Sequence, residues 1–272
     1  MLSKTMILRQ RLRAHAFLIL IALTAICWSC TAKDPVSPEE LRSNELIVSA
    51  AASLKDAFSE IAELNERQNG TKVRFNFGAS GVLQKQIESG APVDVFASAG
   101  TKQMNELGQQ SLILKATRRD FAQNSLVLIV PAQSQLIHSF NDLSNPAIKK
   151  IAVGNPKTVP AGIYTEQSLT QLKLLPEISP KLIFAEDVRQ VLDYVVRDEV
   201  DAGFVYATDP RSAGGKVKVV SEAPAESHDP ILYPIAVVAE SKQQAAAQKF
   251  IDVVMSAEGQ LILARHDFVI LR

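Results

Sequence analysis

A chain of 272 residues with 47% hydrophobic and 21% charged residues has room for one large domain or two modest ones. It has the composition of a soluble, cored protein after any leader. The formal charge is zero, from 29 basic and 29 acidic residues, but Lys4, Arg9, Arg11 and Arg13 fall in the first 29 residues, where there is no acid. The remainder carries 25 basic against 29 acidic residues, about −4. No basic patch or arm remains, which excludes the nucleic-acid-binding classes. A mildly acidic body gains nothing from its overall field in capturing an anion, so any anion site must work locally.

The basic stretch Met1–Arg13 is followed by Ala14–Trp28, apolar apart from His15 and Thr24. That run has the length of a signal-peptide core and is short for a membrane span. Residues 1–29 therefore read as a lipoprotein-type signal peptide, with Cys30, after Ser29, as the lipidated new N-terminus. Ordinary cleavage near this point, or retention as an anchor, is the alternative. The two cysteines, Cys27 and Cys30, both lie here, so the body has no disulfide framework and no thiolate metal site. Residues 30–44 are polar, contain Pro35 and Pro38, and read as a tether.

From residue 45 the pattern alternates. Glu45–Ala51 predicts a short buried strand. Ser53 stands where an N-cap belongs, before Leu54, Ala57, Phe58, Ile61 and Leu64 at helical spacing, and Asn69-Gly70 signals the stop. Thr71–Phe77 alternates as a strand, Gly78-Ala79-Ser80-Gly81 turns, and Val82, Leu83, Gln86 and Ile87 lie on a helix ending at Ser89-Gly90. Ala91–Ala99 reads as a third strand and Gln103–Leu107 as a helix. This is the βαβαβα order of a parallel sheet with helices on both faces. Further strands are expected within Asn124–Pro131 and at Lys150–Gly154, Leu182–Ala185, Ala202–Tyr206, Val217–Val220 and Tyr233–Val238. Helices are expected at Tyr164–Leu174, Val188–Val196, Gln244–Met255 and Ala257–Leu263, with a short one at Phe140–Leu143. About nine strands exceed what one small α/β unit needs, so two lobes are expected: 45–124 with 231–272, and 125–230. The apolar strands near 125–130 and 233–238 read as the crossings, and a ligand belongs at strand carboxyl ends in the cleft.

The turns at those ends share a chemistry. They are Ala51-Ala52-Ser53-Leu54, Gly78-Ala79-Ser80-Gly81, Pro160-Ala161-Gly162, Glu186-Asp187-Val188-Arg189 and the end at Tyr206. Two offer a hydroxyl with a helix-start N–H, two offer backbone N–H groups and one a phenol. Pro160 lacks an N–H, and Gly162 lets another group approach the backbone. Each turn alone serves equally well as a plain strand-to-helix junction. Together they form a set of neutral donors with no obligatory Lys or Arg, suited to a fully ionised oxyanion that only accepts hydrogen bonds. An enzyme reading finds little. Ser80 is not in Gly-x-Ser-x-Gly, and His138, His228 and His266 are scattered without a His-Glu-x-x-His pattern. Glu186 and Asp187 at a helix start read as a cap. No catalytic residue, no cofactor and no site for a free metal cation is expected.

Ala50-Ala51-Ala52-Ser53-Leu54, Phe77-Gly78-Ala79-Ser80-Gly81, Ala91-Pro92-Val93-Asp94, Val153-Gly154-Asn155-Pro156 with Val159-Pro160-Ala161-Gly162-Ile163-Tyr164, Ala185-Glu186-Asp187-Val188-Arg189 and Val205-Tyr206 together resemble the molybdate-binding protein of bacterial ABC importers, over residues 45–272. The resemblance implies an α/β, two-lobed periplasmic-binding-protein type II fold, with two mixed sheets and a ligand cleft between the lobes. It implies that molybdate, and tungstate, is held by the hydroxyls and amides of Ser53 and Ser80, the amides of Ala161 and Val188, and the hydroxyl of Tyr206. It further implies a monomer outside the cytoplasm that delivers to permease subunits, here with a lipid anchor to the membrane. Ala79 and Gly81 stand where many relatives carry further serines. Sulfate, phosphate or another small anion is the alternative ligand, and a hydrolase or transferase on the same fold a remoter one.

Overall fold

The computed structural model describes residues 45–271; the leader and tether, Cys30 included, lie outside the described residues. Strands β1 (Glu45–Ala51), β2 (Lys72–Gly78), β3 (Val95–Ala97), β4 (Arg119–Gln123) and β10 (Leu232–Val237) form one five-stranded sheet in the order β2-β1-β3-β10-β4. Strands β5 (Leu126–Pro131), β6 (Ile151–Gly154), β7 (Leu182–Ala185), β8 (Ala202–Tyr206) and β9 (Val217–Glu222) form a second, in the order β7-β6-β8-β5-β9. Each sheet has four strands running one way and one running against its two neighbours, β10 in the first and β5 in the second, so both are mixed and built on the same plan. The chain passes from the first sheet to the second between Gln123 and Leu126 and returns between Glu222 and Leu232. The apolar strands expected to be crossings are thus full members of a sheet, β5 of the second and β10 of the first; the short segments before them cross.

Local chemistry explains most elements. In α1 (Lys55–Asn69) Ala57, Phe58, Ile61 and Leu64 are buried, and the helix ends where Gly70, at φ 68°, donates its N–H to the Glu66 carbonyl at 2.9 Å. Helices α2 (Ser80–Glu88), α3 (Thr101–Gln109), α7 (Gln244–Met255) and α8 (Ala257–Arg265) pack with the first sheet, and Phe58 meets Phe121 at 5.6 Å and Phe250 at 5.9 Å in its core. Helices α4 (Pro160–Gln171), α5 (Leu175–Ile178) and α6 (Val188–Val196) belong to the second lobe.

Four expectations are corrected. The third strand is only Val95–Ala97: the Asp94 backbone still donates to the Ile47 carbonyl at 2.8 Å and accepts the Val238 N–H at 2.9 Å, but its side chain takes the Ile47 N–H at 2.8 Å. The same carboxylate accepts the Ser241 hydroxyl at 2.6 Å, pinning β1 to the segment after β10. Helix α4 begins at Pro160, a turn before Tyr164; a proline at the first helical position costs no hydrogen bond, since that N–H is an orphan in any case. There are ten strands among the described residues, not nine. β4 escapes the periodicity because Arg119 and Asp120 are exposed at a sheet edge while Phe121 and Ala122 are both buried. The fourth concerns Ser53, which is no N-cap. It lies inside the 3-10 turn Ala52–Leu54, and its hydroxyl is engaged elsewhere.

Candidate anion-binding site

The first turn of a helix leaves its N–H groups without partners inside the helix. At three helix starts the surrounding chain satisfies all but one of the first three helical positions. In α2 the Gly81 N–H donates to the Thr158 carbonyl at 2.9 Å and the Val82 N–H to Ala79 at 3.0 Å, leaving Ser80. In α4 Pro160 has no N–H and Gly162 donates to the Val159 carbonyl at 2.9 Å, leaving Ala161. In α6 the Asp187 carboxylate accepts the Arg189 and Gln190 N–H groups at 2.8 and 3.0 Å, leaving Val188. The Glu186-Asp187 pair is thus a cap through Asp187. One amide each from Ser80, Ala161 and Val188 stands at the positive end of a helix dipole.

The hydroxyls are aimed by what lies behind them. Ser80 Oγ accepts the Ala99 N–H at 3.0 Å, which frees its own hydrogen for the cavity. Ser53 Oγ lies 3.0 Å from Tyr233 Oη, and Asn124 Nδ2 donates to that phenol at 3.3 Å and to Thr208 Oγ1 at 3.0 Å. Asn124's donation leaves the Tyr233 hydrogen available to Ser53 Oγ, an arrangement that turns the Ser53 hydrogen toward the cavity. Tyr206 Oη donates to the Ala99 carbonyl at 3.1 Å, so it must exchange that partner to serve an anion. Burial pushes both the Tyr206 and Tyr233 phenols well above their usual range, and both stay protonated donors.

The helix starts at Ser80, Pro160 and Val188 and the hydroxyls of Ser53, Ser80 and Tyr206 meet in a cavity of about 10 Å³, room for a water-sized group in this closed form. This is below the ~300–1,000 Å³ of clefts that take drug-sized ligands. Ser53, Ser80 and Ala99 line it from the first lobe, and Val159, Pro160, Asp187, Val188 and Tyr206 from the second. No Lys or Arg is on the wall, and the one carboxylate there, Asp187, is spent on amides. Of the 159–164 turn, the wall takes Val159 and Pro160, with Ala161 fully buried directly behind them. A larger hollow of about 320 Å³ beside α4 is walled mainly by apolar side chains such as Leu169, Leu175 and Phe184. Among the described residues no cluster of His, Cys, Asp and Glu converges as a metal site, and no helix is long and apolar enough to cross a membrane.

Closure is tight around this cavity. A Cβ at Gly81 would lie 2.6 Å from the Thr158 carbonyl oxygen and 2.9 Å from its Cα, both backbone, so no larger residue fits there without parting the lobes. The Gly81 N–H is consumed by this interlobe bond. Gly162 is also needed for close approach, but to its own lobe: a Cβ would meet the Gly154 carbonyl carbon at 2.6 Å and Pro156 N at 3.0 Å. Tyr164 packs beside His228, with ring centroids 5.8 Å apart. Sequence reasoning missed Ala99, Asn124 and Tyr233. Ala99 had a signal, since Ser98-Ala99-Gly100 follows β3 at a strand carboxyl end like the other turns; the other two had none.

Two lobes closed on a small cavity walled by neutral donors define a solute-binding protein. A profile described as bacterial extracellular solute-binding protein matches residues 46–269. The chain is 38% identical over 231 residues to the molybdate-binding protein ModA of Escherichia coli strain K12, covering 83% of this chain and 89% of that one. The chain belongs to the bacterial extracellular solute-binding protein family, a family of binders rather than enzymes, and within it to the ModA group. It is also 36% identical over 255 residues to the putative ABC transporter substrate-binding lipoprotein YvgL of Bacillus subtilis strain 168, covering 92% and 96%. Its fold matches the periplasmic molybdate-binding protein of Azotobacter vinelandii with a TM-score of 0.76 at 26% identity, over 84% of this chain and 100% of that one.

Proposed function

We propose that this chain captures molybdate, and tungstate, outside the cytoplasm and hands it to the permease of an ABC importer. The observation that carries this is the convergence of three helix starts, at Ser80, Pro160 and Val188, with the hydroxyls of Ser53, Ser80 and Tyr206 around one small cavity. A set made only of donors holds a fully ionised tetrahedral oxyanion and rejects a protonated one, whose hydrogen finds no acceptor. Charge-assisted hydrogen bonds contribute about 1.5–3 kcal/mol each, so five or more support submicromolar binding after ordering costs. Titration calorimetry of the full chain tests the assignment. Molybdate and tungstate bind with submicromolar affinity, and sulfate and phosphate at least about a hundredfold more weakly. Clear heat with sulfate and none with molybdate would sink it.

The delivery partner follows from the same reading: a monomeric two-lobed binder that closes on its ligand delivers it by docking to something that opens it. Cys30 is read as the lipidated N-terminus that keeps the domain near a membrane, with residues 30–44 as the tether; YvgL, named a lipoprotein, is the relative that supports this. Mass spectrometry of the mature chain should find a lipid-modified Cys30 at its start. An unmodified start downstream of that residue excludes the anchor.

A further inference from the structure

We propose that Arg189 is a latch: from the second lobe it holds the first lobe shut through Asp56, and so sets how slowly the bound anion leaves. This rests on the two-lobed binder reading above. Arg189 follows Val188 in the first turn of α6, yet does not line the cavity and cannot be an anion ligand. Its guanidinium is first fixed on its own lobe. Nε lies 3.0 Å from Asp209 Oδ1, and Nη1 donates to Ser212 Oγ at 2.5 Å. Asp209 is fully buried, and its other oxygen accepts the Tyr206 N–H at 3.0 Å, which ties the guanidinium to the strand end that carries the Tyr206 phenol. The Nε contact is an ion pair lying off hydrogen-bonding direction, and Asp209 Oδ1 has no other partner. Burial pushes the Asp209 carboxyl up to about 6, against the opposing pull of the Arg189 charge.

One arm then crosses the cleft. Nη2 lies 2.8 Å from Asp56 Oδ2, in the first turn of α1, and 3.5 Å from the carbonyl of Ser53. Among the described residues two ion pairs join the lobes, this one and Arg211–Asp267 at 3.4 Å. Both side chains of the second are more than half exposed, whereas Arg189 is 20% exposed. The hydrogen bonds Gly81 to Thr158, Tyr206 to Ala99 and Asn124 to Thr208, which also join the lobes, are neutral. A contact made only in the closed state lowers the population of the open state. Release requires opening, while capture starts from the open state, so the latch acts on dissociation and leaves association alone.

Asp56→Asn removes the crossing charge and leaves Arg189 on Asp209 and Ser212. In the full chain, with molybdate labelled with a radioactive molybdenum isotope, the dissociation rate rises about fivefold while the association rate stays within about twofold; a half-exposed ion pair supports a change of that size. Dissociation from the unsubstituted chain also quickens with ionic strength, and that salt dependence is largely lost in the variant. A merely structural role for Asp56 would move neither the split between the rates nor the salt dependence. An unchanged dissociation rate, or a loss lying wholly in association, overturns the latch. If the unsubstituted chain takes up no molybdate, the functional assignment falls and the latch with it; normal uptake with unaltered release removes the latch alone.

Discussion

Ser80→Ala combined with Tyr206→Phe weakens molybdate binding by well over tenfold, to about a hundredfold. Each change removes a hydroxyl that faces the cavity from a different lobe. A hydrogen bond to a full anionic charge contributes about 1.5–3 kcal/mol, so two such losses reach the upper part of that range of effects. Tyr206 contributes less than a free donor would, because its hydrogen is on the Ala99 carbonyl at 3.1 Å and it gains only the difference between that partner and the anion. Stability falls too, because Ser80→Ala leaves the buried Ala99 N–H without its acceptor, at about 1–3 kcal/mol. Calorimetry separates the two effects when run well below the unfolding temperature of the variant. An affinity equal to that of the unsubstituted chain would remove both hydroxyls from the site.

Gly162→Ala destabilises the protein by about 3 kcal/mol and takes molybdate binding down with it. The added methyl meets the backbone of Gly154 and Pro156, which unlike a flexible side chain cannot swing aside. The start of α4 must therefore lift from the end of β6, carrying the Val159–Ala161 turn out of the cavity wall. Gly108→Ala is the internal control. Its Cβ would meet Ile113 side-chain atoms at 3.6 Å and beyond, ordinary contact, and alanine is the better helix former by about 1 kcal/mol. Urea unfolding followed by circular dichroism should show the midpoint lowered for the first and unchanged or raised for the second. Equal midpoints would show that the helix-to-strand junction yields, contrary to its geometry.

These glycines also show how far the sequence could be read. Gly162 was legible as a point of close approach, but not what approaches: the partner is the strand the helix leaves, not a ligand. Gly81 read as one more turn residue. Its N–H is spent on Thr158 in the other lobe, a carbonyl that no local pattern points to. The strand β4 was invisible because its two faces are not distinguished by burial. The third strand was overdrawn because Asp94, which reads as a polar residue in an apolar run, uses its carboxylate to replace a rung of the ladder.

What the sequence by itself determined is the set of local decisions: the alternation of strands and helices, the proline that opens α4, the aspartate that caps α6, and Gly70 closing α1. Each depends on residues within about one helical turn, where side-chain and backbone preferences act without help from the fold. Tertiary structure decided which of the many helix-start amides remain unspent and which hydroxyls point forward. Ser53 is aimed by Tyr233, 180 residues away, and Arg189 reaches Asp56 across 133 residues. A donor is free or consumed according to its nearest acceptor in space. Where that acceptor lies far along the chain, only folding brings it near.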